Sequence, residues 1–126
     1  MRVVRVRTEA GDRFELIDEH GVIDRHAASF ARGLIGRGCS PHTVAAYLYD
    51  LRRFYEFLAE SGLTLPSFKL AHSVDLLAWL GSIESKRVRL TAFSAAVRTT
   101  LSPTSINRSI AAISSFFDHL VLAGEP

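Results

Sequence analysis

Two segments of the chain share one spacing of apolar residues. Residues 40–62 and 102–124 both open with Ser-Pro, and a shift of 62 positions (102 − 40) superposes their apolar positions. The superposed pairs are Val44/Ile106, Leu48/Ile110, Leu51/Ile113, Phe54/Phe116, Tyr55/Phe117 and Leu58/Leu120. Recurrence every three or four residues predicts an amphipathic helix in each segment. The opening Ser suits a helix cap, the Pro suits the first helical position, and the closing Gly suits a left-handed stop.

The pattern before residue 40 changes from strand-like to helical. Residues 3–7 and 13–17 are two short, mostly extended runs around a turn at residues 9–12, which predicts a hairpin. Because an isolated two-stranded hairpin is marginal in water, residues 1–22 are expected to form a partly extended, mobile arm. From about Asp24 to Gly36 the apolar residues recur at helical spacing and predict the first helix.

The remaining segments complete a predicted helical bundle. After a loop over residues 62–72, a third helix is predicted from Ser73, as its cap, to about Ile83. Its apolar surface is assigned to Val74, Leu77, Trp79 and Leu80. Residues 85–101 are predicted to form a basic loop with a short helical turn. The fold class is therefore all-α, with four to five helices in one domain over residues 23–126.

The charge distribution is uneven although the net charge is only +2. No acidic residue lies between Glu84 and Asp118, whereas that interval holds five basic ones: Lys86, Arg87, Arg89, Arg98 and Arg108. Such a stripe is compatible with a nucleic-acid-binding surface and equally with an ordinary solvated surface. Charge alone does not decide between the two.

Catalytic, metal-binding and membrane-spanning signatures are missing from the sequence. It contains no His-Glu-x-x-His, Gly-rich phosphate loop or Gly-x-Ser-x-Gly motif, and its five histidines do not fall in ligand spacing. One cysteine, Cys39, cannot form an internal disulfide, and no apolar run approaches the roughly 20 residues of a membrane span. We therefore expect a cytoplasmic protein with no cofactor, no metal, no catalytic residue, no membrane contact and no small-molecule substrate.

Two motifs carry a family resemblance that covers roughly residues 24–126. Residues 40–58, SPHTVAAYLYDLRRFYEFL, resemble the second helix of the N-terminal core-binding domain of tyrosine recombinases, which include phage integrases and the Xer group. That helix has Ser, then Thr, then aromatic-x-x-Asp-Leu-x-x-Phe-x-x-Phe-Leu. Residues 102–117, SPTSINRSIAAISSFF, resemble the other signature helix of the domain, in which Asn-Arg precedes a small and apolar run ending in Phe-Phe or Phe-Tyr.

The resemblance implies a SAM-like orthogonal helical bundle that binds one side of a double-stranded DNA recombination site. It also implies assembly with other protomers of the same recombinase. In the family, a C-terminal catalytic domain supplies an Arg, a Lys, a His-x-x-Arg set and the nucleophilic Tyr. Because this set is not found here, we expect a non-catalytic domain of a longer enzyme that breaks and rejoins DNA.

The residues expected to contact DNA lie off the apolar stripes. On the second helix they are His42, Thr43, Ala45 and Ala46, and on the last helix Thr104, Asn107 and Arg108. Further phosphate contacts are expected from Arg52, Arg53, Lys86, Arg87 and Arg89. The alternative function is a SAM-like protein–protein interaction module, since fold alone does not decide function. The acid-free stretch of residues 85–117 favours DNA.

Overall fold

A computed structural model describes residues 1–83 and 102–124 of the chain. It opens with an antiparallel hairpin of β1 (Arg2–Thr8) and β2 (Gly11–Ile17). The helices that follow are α1 (Arg25–Gly36), α2 (Pro41–Glu60), α3 (Ser73–Ser82) and α4 (Pro103–Leu122). A short 3₁₀ turn, Leu70–His72, leads into α3. The predictions for residues 85–101 lie outside the described residues.

Helices α2 and α4 begin and end alike, as their sequences predict. The Ser40 hydroxyl accepts a hydrogen bond from the Thr43 backbone N–H, and the Ser102 hydroxyl accepts one from Ser105, both at 3.2 Å. Each helix then starts with Pro, which loses nothing there by lacking an N–H. After the two helices Gly62 and Gly124 take φ values of +68° and +69°, the left-handed conformation that glycine adopts without steric cost. The predicted caps and stops are confirmed.

The hairpin is packed onto the helices. Val3 pairs with Leu16 across its strands, and Leu16 and Ile17 of β2 are 1% and 7% exposed. Leu16 belongs to the same apolar cluster as Phe30 and Leu48, so β2 contributes to the core of the domain. The expected N-terminal arm therefore packs against the helices, and an all-α description omits this hairpin. The described chain is mostly helical with a two-stranded N-terminal hairpin.

Helix α2 is the centre of the fold. It contacts α1, α3, α4 and both strands of the hairpin. One apolar cluster lies towards the hairpin and α1, and includes Phe30, Leu48, Leu51 and Phe116. A second lies towards α3 and includes Phe54, Phe57, Leu76, Leu80 and Ile113. Because partners surround α2, it buries a broader face than one stripe, and Phe57 and Ala45 are only 2% and 7% exposed.

Helix α3 differs most from its prediction. Ser73 is its first helical residue rather than its cap, and the preceding residue, His72, belongs to the 3₁₀ turn and makes no side-chain cap bond. Val74 and Leu77 are exposed, whereas Leu76 and Leu80 are buried. Apolar residues lie all around this ten-residue helix, so their spacing does not select the buried face. Among the helices of the described chain, none is long and apolar enough to cross a membrane.

Candidate nucleic-acid interface

A groove of about 410 Å³ lies between α2 and α4, and we call it the α2–α4 groove. Its lining residues are His42, Thr43, Ala46, Tyr47, Asp50, Arg108, Ala111 and Ala112. On each helix these residues recur three or four positions apart, which places them on one face. Half of the lining side chains are small: Thr43, Ala46, Ala111 and Ala112. Parts of both helix backbones therefore lie close to the open space. A ligand with a polar backbone could approach both helices here.

The groove reaches the beginning of α2. His42 and Thr43 lie in the first turn of this helix, where backbone N–H groups lack intrahelical partners and give the helix end a partial positive charge. Both side chains are exposed, and the Thr43 hydroxyl lies 3.0 Å from that of Ser40. The His42 ring packs 6.2 Å from the ring of Phe14, so the hairpin supports this edge of the groove. These features suit an anionic ligand.

A charged cluster forms the floor of the groove. The Asp50 side chain is 2% exposed and accepts a hydrogen bond of 2.9 Å from the Ser109 hydroxyl. The guanidinium of Arg108 faces the same carboxylate, with Nε 3.4 Å from Oδ2 and Nη2 3.5 Å from Oδ1. Arg53 Nη1 lies 4.0 Å from Oδ1. Two guanidinium groups around one carboxylate leave this cluster with one net positive charge.

The predicted contact residues fall into separate groups. Four of them line the α2–α4 groove together: His42, Thr43, Ala46 and Arg108. Arg53 does not line the groove, but it lies next to Asp50 on the groove floor. Thr104 and Asn107 are exposed on the first turns of α4 but do not line the groove. For all of these residues, DNA contact stays a prediction. The predictions for Lys86, Arg87 and Arg89 lie outside the described residues.

Two predicted contacts need comment. Ala45 is buried because α2 is surrounded by partners, so it does not lie on the outer face of α2 as expected. Its contact with DNA stays a prediction. Arg52 precedes Arg53 by one position and therefore points about 100° away around the helix axis. Its Nε donates a 3.1 Å hydrogen bond to Glu56 on the next turn, and it does not line the groove.

Sequence reasoning missed Asp50 and Ser109. Both lie among the apolar positions of their helices, Asp50 between Tyr47 and Phe54, and Ser109 between Ile106 and Ile113. A carboxylate is rarely buried unless it is paired, so its place beside an apolar stripe signals a partner on another element. The identity of that partner could not be read from the sequence, because 58 residues separate Asp50 from Arg108.

Tyr55 of α2 is poorly suited to nucleophilic chemistry. The Tyr55 hydroxyl donates a 2.8 Å hydrogen bond to Asp24, which also caps α1 by accepting from the Ala27 N–H. Burial, together with the charge of Asp24 and this bond, raises the pKa of the Tyr55 phenol above its ordinary value. A phenolate is therefore disfavoured at this position. The described residues contain no group of three or more His, Cys, Asp or Glu side chains placed to hold a metal ion.

Comparison with known proteins gives a consistent result. The chain is 28% identical over 127 aligned residues to Transposase A from transposon Tn554 of Staphylococcus aureus, found in strain Mu50 / ATCC 700699 and in strain N315. The alignment covers 99% of this chain but 34% of the transposase, so the chain spans about a third of the length of these curated relatives. No solved structure matches the chain significantly. Residues 27–124 match the family model described as "Phage integrase, N-terminal SAM-like domain", and the chain belongs to that family.

Proposed function

We propose that this chain is the DNA-binding domain of a site-specific recombinase, and that the α2–α4 groove lies against the duplex of the recombination site. The observation that carries this proposal is the position of Arg108. It lines the α2–α4 groove next to the buried carboxylate of Asp50, and its side chain is 59% exposed. Family membership supports a role in recombination.

The chemistry of the groove suits DNA in two ways. An exposed guanidinium can donate two hydrogen bonds to phosphate oxygens, or to O6 and N7 of guanine in the major groove. Small side chains such as Ala46 and Ala111 allow the DNA backbone to approach the helices closely. The net positive charge of the floor cluster attracts phosphates, and released counterions then favour binding.

Assembly with other protomers of the same recombinase is the second part of the proposal. A specific feature supports protein contact: Leu70 of the 3₁₀ turn and Val74 and Leu77 of α3 are 88%, 72% and 48% exposed. The alternative function, a SAM-like protein–protein interaction module, would use the same surface and leave the α2–α4 groove without a role. DNA binding and its salt dependence separate the two functions.

Binding to a fluorescent duplex is expected to weaken steeply as salt rises. Each phosphate contact contributes about 0.9 to the slope of log affinity against log salt on B-DNA. Arg108→Ala should weaken binding about fivefold or more, whereas Arg32→Ala, on the outer face of α1, removes the same charge and should have little effect. Fluorescence anisotropy at several salt concentrations measures both. Binding that ignores salt, or equal losses in the two variants, would contradict the proposal.

We infer that DNA cleavage is performed elsewhere in the recombinase. Holding a scissile phosphate, stabilising its charge and supplying an activated nucleophile require a set of groups that the described residues do not bring together. Incubation of the chain with supercoiled plasmid should therefore yield neither nicked circles nor covalent protein–DNA adducts. Agarose gels and denaturing protein gels report the two products. A phosphotyrosyl adduct at Tyr47, Tyr49 or Tyr55 would refute this division of labour.

A further inference from the structure

The pairing with Arg108 does not explain why the Asp50 carboxylate is almost completely buried. Removing a carboxylate from water costs several kcal/mol in a protein unless close hydrogen bonds replace the lost hydration. The close bond to Asp50 comes from Ser109, at 2.9 Å. The Arg108 nitrogens lie at 3.4 and 3.5 Å, and the Arg108 side chain is 59% exposed while that of Asp50 is 2% exposed. The contact with Arg108 is therefore longer than the one with Ser109 and lies at the surface.

The geometry of this contact divides the guanidinium into two edges. The edge formed by Nε and Nη2 faces the two carboxylate oxygens of Asp50. A guanidinium has five N–H donors in a fixed planar fork, so the edge formed by Nη1 and Nη2 keeps its own pair of donors. That second edge has the spacing that recognises two neighbouring acceptor atoms. Asp50 thus limits the orientations of a side chain that would otherwise rotate freely at the surface.

We propose that Asp50 is a positioning residue, which holds Arg108 so that the outer edge of its guanidinium meets a pair of acceptor atoms on DNA. The acceptors are either two phosphate oxygens or O6 and N7 of a guanine. Holding the side chain in advance lowers the entropy lost when Arg108 engages DNA. This role rests on the proposed function, because it assigns a partner to the groove already described.

Positioning and simple electrostatics predict opposite results for Asp50→Asn. This change keeps the shape of the side chain and an oxygen for the Ser109 hydroxyl, but removes a negative charge from beneath the groove. If charge alone mattered, phosphate binding would become tighter. If Asp50 positions Arg108, DNA affinity falls although the protein gains positive charge. Glu56→Gln is the matched control, because Glu56 is also a carboxylate of α2 paired with an arginine and lies outside the groove.

The test is a double-mutant cycle measured by fluorescence anisotropy at fixed salt. We expect Asp50→Asn to weaken binding about fivefold or more, Arg108→Ala to weaken it by a similar factor, and the double variant to lose little further. Glu56→Gln should not weaken binding. The role is overturned if Asp50→Asn binds as tightly as the wild-type chain or more tightly. It is also overturned if its loss is undiminished in the Arg108→Ala background.

Arg108→Lys tests the same role without disturbing Asp50. Lysine keeps the positive charge and a partner for the buried carboxylate, but it has no second edge to present. We expect its affinity to fall towards that of Arg108→Ala, and wild-type affinity in this variant would overturn the proposal. Duplexes in which single guanines are replaced by 7-deazaguanine distinguish guanine acceptors from phosphate acceptors. A loss confined to one position indicates guanine. Unchanged affinity at every position, together with a smaller salt slope for Arg108→Ala, indicates phosphate.

A measurement without DNA separates this inference from the proposed function. In a ¹H–¹⁵N spectrum, the Nε–H of Arg108 should show slow solvent exchange in the wild-type chain and fast exchange in Asp50→Asn, with Arg52 as the internal reference. Equal exchange in the two chains would overturn the positioning role. A wild-type chain that fails to bind DNA would overturn the proposed function and this role together. Wild-type binding with an unchanged Asp50→Asn affinity would overturn the positioning role alone.

Discussion

Phe116→Ala is expected to lower the free energy of unfolding by about 3–5 kcal/mol. Phe116 is 0% exposed, and its ring centre lies 5.6 Å from that of Phe30 and 6.3 Å from that of Tyr55. It thereby joins α4 to both α1 and α2. Truncation removes these ring contacts and leaves a cavity that the surrounding helices can close only partly. For a domain of this size the thermal midpoint should fall by about 10 °C or more.

The matched control for this prediction is Tyr49→Ala. Tyr49 is also an aromatic residue of a long helix, but it is 49% exposed, so its truncation opens no enclosed cavity. Thermal melts followed by circular dichroism compare the two variants directly. A loss for Tyr49→Ala as large as that for Phe116→Ala would contradict the assignment of buried and open faces. Urea titration gives the same comparison as free energies, provided that both variants unfold in a single transition.

The extents of helices α2 and α4 could be predicted because their boundaries are coded locally. Ser40 and Ser102 cap the residues three positions later, and Gly62 and Gly124 supply the left-handed stop from within the same segments. These signals need no knowledge of the rest of the fold. The same logic failed at Ser73, because the chain enters α3 through a 3₁₀ turn and not through a side-chain cap.

Features that depend on packing between distant segments could not be predicted. Ala45 looked like a small open residue, and its burial follows from the partners that surround α2, including the hairpin. The hairpin looked marginal when considered alone. Its stability comes from the packing of Leu16 in the shared core, which the sequence does not reveal. The sequence indicated that Arg108 is off the apolar stripe, as its exposure confirms. Its partnership with Asp50 joins two helices and was visible only in three dimensions.

The groove itself provides the prediction with the largest expected effect on function. Ala111→Glu should weaken DNA binding about a hundredfold or more, because it fills the α2–α4 groove and sets a negative charge against the phosphates. Juxtaposed like charges cost several kcal/mol, and each 1.4 kcal/mol is a factor of ten in affinity. Ala111 is exposed on a helix, so folding should change little.

Two further variants show whether the loss of DNA affinity comes from the added volume, from the added charge or from the position of that charge. Ala111→Gln adds the same volume without charge, so it should weaken DNA binding less than Ala111→Glu, and the difference measures repulsion. Ala59→Glu introduces the same charge on α2 but about 20 Å along the helix from Ala46, outside the groove, and should have little effect beyond the change in net charge. Anisotropy titrations at fixed salt measure all three, with thermal melts to check folding. If Ala111→Glu and Ala59→Glu weaken binding equally, the DNA does not lie in this groove, and the surface that holds it must be sought elsewhere on the domain.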